Sequence, residues 1–262
     1  MASSTLKIAL DPVKSRTDCR EWSLPSEAVG PIGALVRKLD GYAVLRDEDR
    51  KALAGLASYV RSVGRYTVLV EQECAADHAL IVCSGFACRY KRRISGRRLI
   101  LAYLIPGDHC DRGALYGYPL DHTIETLTPG QIAKVPRGHY LDMLEGHPRI
   151  ALAFQRAKLA EEATAREWMT NIGMRLGPER MAHLLCELLE RHGSIGQVTN
   201  DQFDLPLTQA DLADALGLTS VHVNRVLQAL RRDGLIALRG RRLRILAPRR
   251  LSELGEFEAR YL

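Results

Sequence analysis

Residues 207–234, LTQADLADALGLTSVHVNRVLQALRRDG, carry leucine, alanine and valine at helical spacing on both sides of a single glycine, Gly217. Thr208 stands three residues before Asp211, which puts a hydroxyl at a helix N-cap and a carboxylate in the first turn. The spacing predicts a helix from there to about Leu216, a turn at Gly217, and a second helix capped by Thr219 or Ser220 that reaches Arg232. Ala213, Gly217, Val223 and Val226 occupy tight-packing positions that let two short helices cross steeply. That crossing leaves the first turns of the second helix protruding. Ser220, His222, Asn224 and Arg225 then project to solvent, while Val223, Val226, Leu227 and Leu230 face inward. Beyond Gly234, LIALRG and RRLRIL predict two short strands about a turn at Arg239–Arg241, a wing.

Charge decides what such a unit is for. The chain has a formal net charge of +6, but residues 219–250 alone hold nine arginines against one acid, Asp233. A segment of that kind attracts a polyanion through phosphate neutralisation and counterion release. A solvated basic face, or a plain αα-hairpin followed by a β-hairpin, is the ordinary alternative. The joint occurrence of cap, turn glycine, small core residues, protruding polar set and basic wing points instead to duplex DNA.

The rest of the chain is read more coarsely. At 262 residues, 46% hydrophobic and 26% charged, it folds and has room for two units. No apolar run approaches the roughly 20 residues that cross a bilayer, and MASSTLKIAL lacks the length and cleavage site of a secretion signal, so the expected location is the cytoplasm. The six cysteines are scattered, which favours reduced thiols over a disulfide framework. Residues 1–30 show no sustained periodicity and read as a loosely held arm. GALVRKLDGYAVLRDEDRKALAGLASYV has helical spacing, with Asp47 placed to cap a helix whose inner face is Leu53, Leu56 and Ala57. From Gly64 onward, short β-rich runs are punctuated by Ser84-Gly85, Ser95-Gly96, Pro106-Gly107 and Pro129-Gly130, the pattern of a jelly-roll barrel. A short helix ending near Gly146 precedes a long one from about Pro148 to Ile172. Along the long helix Ile150, Phe154, Ala157, Glu161, Thr164 and Trp168 form an approximate heptad seam, while Leu152, Leu159 and Ala163 mark another face. A helix with two apolar faces needs cover on both, so the heptad seam is expected to meet a second copy of the chain. GPERMAHLLCELLERHG is a further amphipathic helix, and SIGQVTNDQFDL reads as a loop. The expected class is α+β, with a β-roll (jelly roll) domain over residues 31–147, a dimerisation helix over 148–174 and a winged helix-turn-helix domain over 175–262.

This order of β-roll, long helix and LTQADLADALGLTSVHVNRVLQALRRDGLIALRGRRLRIL resembles the Crp/Fnr superfamily of bacterial transcription regulators over roughly residues 35–255. The resemblance implies a sensor domain of the cyclic-nucleotide-binding fold and a homodimer on a two-fold-related DNA operator. Arg225 coincides with a base-reading arginine of the family. Ser220 and Val221 depart from the arginine and glutamate found there in the cyclic-AMP-responsive branch, which implies a different half-site. Thr208, Gln209, Thr219 and His222 match positions that approach phosphates, and Asn224, Gln228 and the wing residues Arg239, Arg241 and Arg242 complete the expected DNA-facing set. RNA polymerase is a further expected partner; a membrane is not.

The family's phosphate cassette uses a Gly-Glu pair and an arginine followed by a small residue. Here PGDHCDRGALYGYPLDHTIETL offers Gly107-Asp108 without Gly-Glu, and Asp121-His122-Thr123 stands where the arginine is expected, which argues against cyclic AMP. Asp108, Arg112, Asp121, His122 and Thr123 remain the candidate effector residues, and the effector and any cofactor are unidentified. Only Cys19 lies in the arm, so the cysteine cluster of the iron-sulfur branch is missing. A metal- or redox-responsive regulator using His109, Cys110, Asp111, Asp121 and His122, or Cys74, His78, Cys83 and Cys88, is an alternative, although strand alternation separates several of these and no paired zinc spacing is present. An architectural DNA binder without an effector is another. No Walker-type loop, His-Glu-x-x-His or G-x-S-x-G elbow is found, so no enzyme activity is expected.

Overall fold

The computed structural model describes residues 30–110 and 116–262. The arm expected over residues 1–30 falls outside the described residues up to Gly30, as do Cys19, Asp111 and Arg112.

The helical spacing after Gly30 resolves into two short helices, α1 (Gly33–Asp40) and α2 (Asp47–Gly55), not one continuous run. Asp40 explains the break: its carboxylate accepts the Leu45 amide and two bonds from the Arg50 guanidinium, folding the connection back. Asp47 does not cap α2. The cap position is Arg46, and Asp49, three residues on, reaches back to accept the Arg46 amide at 2.9 Å. Leu53 and Leu56 are buried as expected, but the pattern does not stay helical to Val60. Val60–Val63 is a strand, β1, because its β-branched residues find a ladder partner in the distant β8 (Gly130–Pro136).

Two antiparallel four-stranded sheets form the roll, in the orders β1-β8-β3-β6 and β2-β7-β4-β5. The remaining strands are β2 (Val68–Val70), β3 (His78–Ser84), β4 (Ala87–Arg92), β5 (Arg98–Leu104), β6 (His109–Cys110) and β7 (Thr123–Thr126). β3 is buried on both faces, and its alternation assigns the two cores. Leu80 and Val82 point into the roll with Ala87, Leu104, Ile124 and Ile132. Ala79, Ile81 and Cys83 face a helical layer built from α1, α2, α3 (Arg137–Gly146) and the first half of α4 (Pro148–Met174). Gly85, at φ +81°, has no room for a side chain: a Cβ there would meet the Pro129 carbonyl oxygen at 2.7 Å.

The seam on α4 is placed differently from the expectation. Ile150, Phe154 and Ala157 are buried in the helical layer of their own chain, Trp168 is buried beneath α5 (Gly177–Ser194), and Glu161 is ion-paired with Arg89 of β4. Thr164 bonds back to the Ala160 carbonyl. Ile150, Phe154, Ala157 and Trp168 are unavailable to a second copy because the chain's own helical layer and α5 already cover them. The exposed stripe is the other face, where Leu159 (60%) and Met169 (66%) stand out.

The C-terminal third packs α5, α6 (Gln209–Leu216), α7 (Ser220–Arg232) and α8 (Pro248–Gly255) about Met181, Leu185, Leu212, Leu216, Val223, Val226, Leu230 and Leu251. The wing strands are β10 (Ile236–Arg239) and β11 (Arg242–Ile245). The stretch read as a loop before α6 contains a third strand, β9 (Gln202–Asp204), which pairs with β11 and buries Phe203. Three residues suffice because the wing supplies the ladder.

Candidate nucleic-acid interface

The helix-turn-helix forms as its sequence dictates. The Thr208 hydroxyl accepts the Asp211 amide at 3.1 Å, and the Asp211 carboxylate accepts the Thr208 amide at 2.9 Å, so two orphan donors of α6 are satisfied reciprocally. Gly217 ends α6 in the left-handed region at φ +64°. The Thr219 hydroxyl then accepts the His222 amide at 3.2 Å and starts α7. Val223, Val226, Leu227 and Leu230 are buried, which fixes the rotation of α7 and turns Ser220, Val221, His222, Arg225 and Gln228 outward.

Three placements refine the expected set. Asn224 is half-buried and donates through Nδ2 to Oε1 of Gln209 at 3.3 Å, so the two helices share a polar contact at the outer surface. His222 is exposed, yet one edge of its ring lies against the turn between α4 and α5: a Cβ on Gly177 would sit 2.6 Å from its Nε2. Arg239, Arg241 and Arg242 are exposed at the wing tip about Gly240, and the Arg241 carbonyl accepts the Leu205 amide at 2.6 Å.

A buried ionic hub behind this surface was not visible in the sequence. Arg98, at the start of β5, donates to Asp214 at 2.6 Å, to Asp211 at 3.0 Å and to Glu125 of β7 at 3.0 Å. Tyr103 of β5 adds a bond from its hydroxyl to the Asp211 carbonyl at 2.9 Å. Burial works against the Arg98 cation, and the Asp214 bond with the neighbouring carboxylates more than offsets it, so its charge is firmly held. The roll therefore grips the first helix of the helix-turn-helix directly. Asp211 and Asp214 are the only acids of α6, and both are spent on this one guanidinium.

The candidate effector residues are not gathered into one site. Asp108 is buried between Lys38 of α1 and Arg191 of α5 and accepts from both, with the Arg191 contact at 2.7 Å; it also accepts the Ile105 amide at 2.8 Å. Burial alone would raise its pKa, but the two cations hold the carboxyl well below the usual carboxylate range. It is a tie between roll and C-terminal domain. Asp121 is exposed, pairs with Lys91 at 2.9 Å and bonds His122 at 2.7 Å; that imidazole bond, with the Lys91 bond, lowers its carboxyl to about 2. Thr123 accepts the Gln72 amide at 3.2 Å. Asp108 and the Asp121–Thr123 stretch thus serve different partners, and Arg112 lies outside the described residues.

A cavity of about 180 Å³ opens between β5, α4 and α5, with Arg89, Tyr103, Asp108, Glu161, Trp168 and Arg191 among its walls, so Asp108 alone of the described candidate effector residues borders it. Among the described residues no group of three or more histidine, cysteine or acidic side chains is placed to hold a metal ion. Burial pushes the Cys83 thiol up to about 11 and, with the nearby Glu190 charge, Cys186 up to about 12, so both stay protonated and unreactive near neutral pH. No described helix is long and apolar enough to cross a membrane.

Comparison with known proteins agrees with this geometry. Residues 179–254 match the Crp-like helix-turn-helix domain, and residues 60–147 match the cyclic nucleotide-binding domain. The chain is 30% identical over 218 residues to the transcriptional activator protein FnrL of Cereibacter sphaeroides, covering 80% of this chain and 86% of that protein. It is 30% identical over 176 residues to the nitrogen fixation regulation protein FixK of Bradyrhizobium diazoefficiens, covering 66% of this chain and 72% of that one. Its fold matches the structure of FixK2 from Bradyrhizobium japonicum with a TM-score of 0.67 at 24% identity, over 76% of this chain and 98% of that chain. The chain belongs to the Crp/Fnr family of DNA-binding transcription regulators, and its relatives are regulators, not enzymes.

Proposed function

We propose that two copies of the chain bind a two-fold-related operator, with one α7 in each of two successive major grooves about one helical turn apart. The observation that carries this reading is the exposure of Arg225 on a helix whose opposite face is locked into the core by Val223, Val226 and Leu230. Arg225 reads a guanine edge, with Ser220, Asn224 and Gln228 beside it on the same outward side. Thr208, Gln209, Thr219, His222, Arg239, Arg241 and Arg242 hold phosphates and set the register.

The dimer forms along the outer stripe of α4. Leu152, Leu159, Arg166 and Gly173 recur every seven residues, with Gln155, Glu162 and Met169 between them, and the exposure of Leu159 and Met169 supports this face. The domain limits are those read from the sequence, with α4 as the spine between roll and winged helix. The cavity beside Arg89 and Glu161 is the place for a small-molecule effector, and relatives that are transcriptional activators make RNA polymerase an expected partner.

Selection of a duplex from random sequence by the full-length protein, followed by affinity measurement against unselected DNA across salt, tests the reading. A specificity ratio of roughly 10³ or more is expected. An architectural binder gives a small ratio and identical salt slopes on both DNAs.

A further inference from the structure

The second strongly cationic stretch of the chain is KRRISGRR, residues 91–98, which holds five cations and no acid. It forms the tip of the β4–β5 hairpin, where Lys91, Arg92, Arg93, Ile94 and Arg97 are all exposed. We propose that this tip is a second DNA-contact surface, which grips the phosphates of duplex flanking the operator; the proposal rests on the reading of the chain as an operator-binding regulator.

Position carries the argument. The tip closes through the Arg93 amide on the Arg97 carbonyl and the Gly96 amide on the Arg93 carbonyl, both at 2.8 Å, so Arg93 and Arg97 face each other one step from Arg98. Arg98 is bonded to Asp211 at 3.0 Å, Asp211 is bonded in turn to Thr208, and the adjacent Gln209 takes the Asn224 amide at 3.3 Å. An unbroken line of contacts therefore runs from the hairpin tip through the first turn of α6 to the recognition helix. One extended residue spans about 3.3 Å, so the backbones of Arg93 and Arg97 stand one step beyond Arg98, whose side chain reaches the first turn of α6.

Charge carries the rest. The carboxylates around the hairpin are already occupied: Glu125, Asp211 and Asp214 by Arg98, and Asp121 by Lys91 and His122. Arg92 donates to the Gly96 carbonyl and covers the Tyr90 ring. Arg93 and Arg97 have no side-chain partner among the described residues. Two open guanidinium forks one step from the residue that ties the hairpin to α6 match phosphate oxygens in geometry as well as in sign. Ile94, fully exposed between them, is the anchor that a protein partner would bury, and a phosphate track has no use for it.

The test uses the full chain and the duplex it selects, prepared in two lengths: one ending at the site, the other extended by about 10 bp, one helical turn, on each side. Affinity is measured from roughly 50 to 200 mM salt. The wild type is expected to show a steeper log–log salt slope on the long duplex. Arg93→Gln with Arg97→Gln is expected to remove that difference, about 0.9 in slope for each phosphate no longer neutralised, while binding the short duplex as the wild type does, which also reports correct folding. Ile94→Ser is expected to behave as wild type on both. Equal wild-type slopes on the two lengths, an unchanged double variant on the long duplex, an equal loss on both duplexes, or a long-duplex loss in Ile94→Ser that matches the double variant each overturn the proposal. Failure to select any duplex overturns the operator reading itself and this inference with it, whereas selection with length-independent slopes removes only the inference.

Discussion

Arg98 of β5 donates through Nε to the Asp214 carboxylate of α6 at 2.6 Å, which makes its guanidinium a fastener between the roll and the DNA-binding domain. Its other nitrogens serve Glu125 and Asp211, both buried. Arg98→Ala leaves those acids without their cation and is expected to destabilise the fold by about 3–5 kcal/mol. The urea midpoint at unchanged slope reads this loss. Arg98→Lys is expected to recover only part of it, because an ammonium cannot present a planar fork to three carboxylates. An unchanged midpoint in the alanine variant means that the hub contributes nothing to stability.

At the DNA surface, Arg225→Ala is expected to weaken binding to the selected operator by about 1–3 kcal/mol and to blur discrimination at one base pair. Arg241→Gln is expected to weaken all sequences alike and to lower the salt slope by about 0.9. Quantitative binding on a panel of single-base operator variants separates the two roles, and uniform weakening by the Arg225 change would remove it from base reading.

The two faces of α4 make opposite forecasts. Leu159→Glu with Met169→Glu, on the exposed stripe, is expected to yield a folded monomer by light scattering. Ile150→Ala, in the chain's own helical layer, is expected to cost about 2–5 kcal/mol of stability and leave the dimer intact at permissive temperature. Monomers from the Ile150 change with a normal fold would restore the seam read from the heptads.

Acid sensitivity should centre on His192. Burial depresses its imidazole from 6.5 to about 4, against the bond to Gln197 at 3.0 Å that pulls the other way. The ring packs against Phe86 and Phe203, with centroids 5.4 and 5.1 Å away. In that interval the unfolded chain binds the extra proton, so the stabilising contribution is complete above about pH 6.5 and is lost as pH falls toward 4. His183 is shifted in the same direction by burial. Unfolding free energy is expected to drop by about 2 kcal/mol between pH 7 and pH 5 on account of His192, at about 1.4 kcal/mol per unit. His192→Phe should flatten that part of the profile; an unaltered pH slope would assign the sensitivity elsewhere.

Much of the DNA-binding unit was legible because its signals are local. A threonine three residues before an aspartate, a glycine between two leucine-spaced runs, and arginines about a turn act over single turns of chain, and Thr208, Gly217 and Thr219 all do what their positions required. What the sequence hid was set by partners far away along the chain. Val60–Val63 is a strand only because β8 lies beside it, and β9 only because the wing does. The two stripes of α4 carry similar residues, so nothing in their spacing told which would meet the roll and which would stay exposed. The Arg98 hub joins residues 113 positions apart, beyond any pattern of neighbours.

The pairing of β9 with β11 has a mechanical result. The strand that enters α6 is itself a rung of the wing, with Asp204 opposite Arg242 and the Leu205 amide bound to the Arg241 carbonyl. The wing is thereby tied to the chain that enters the helix-turn-helix, so in the proposed dimer each subunit acts as a caliper of set jaw width. Control of operator occupancy in that dimer then lies in the separation or tilt of one caliper relative to the other.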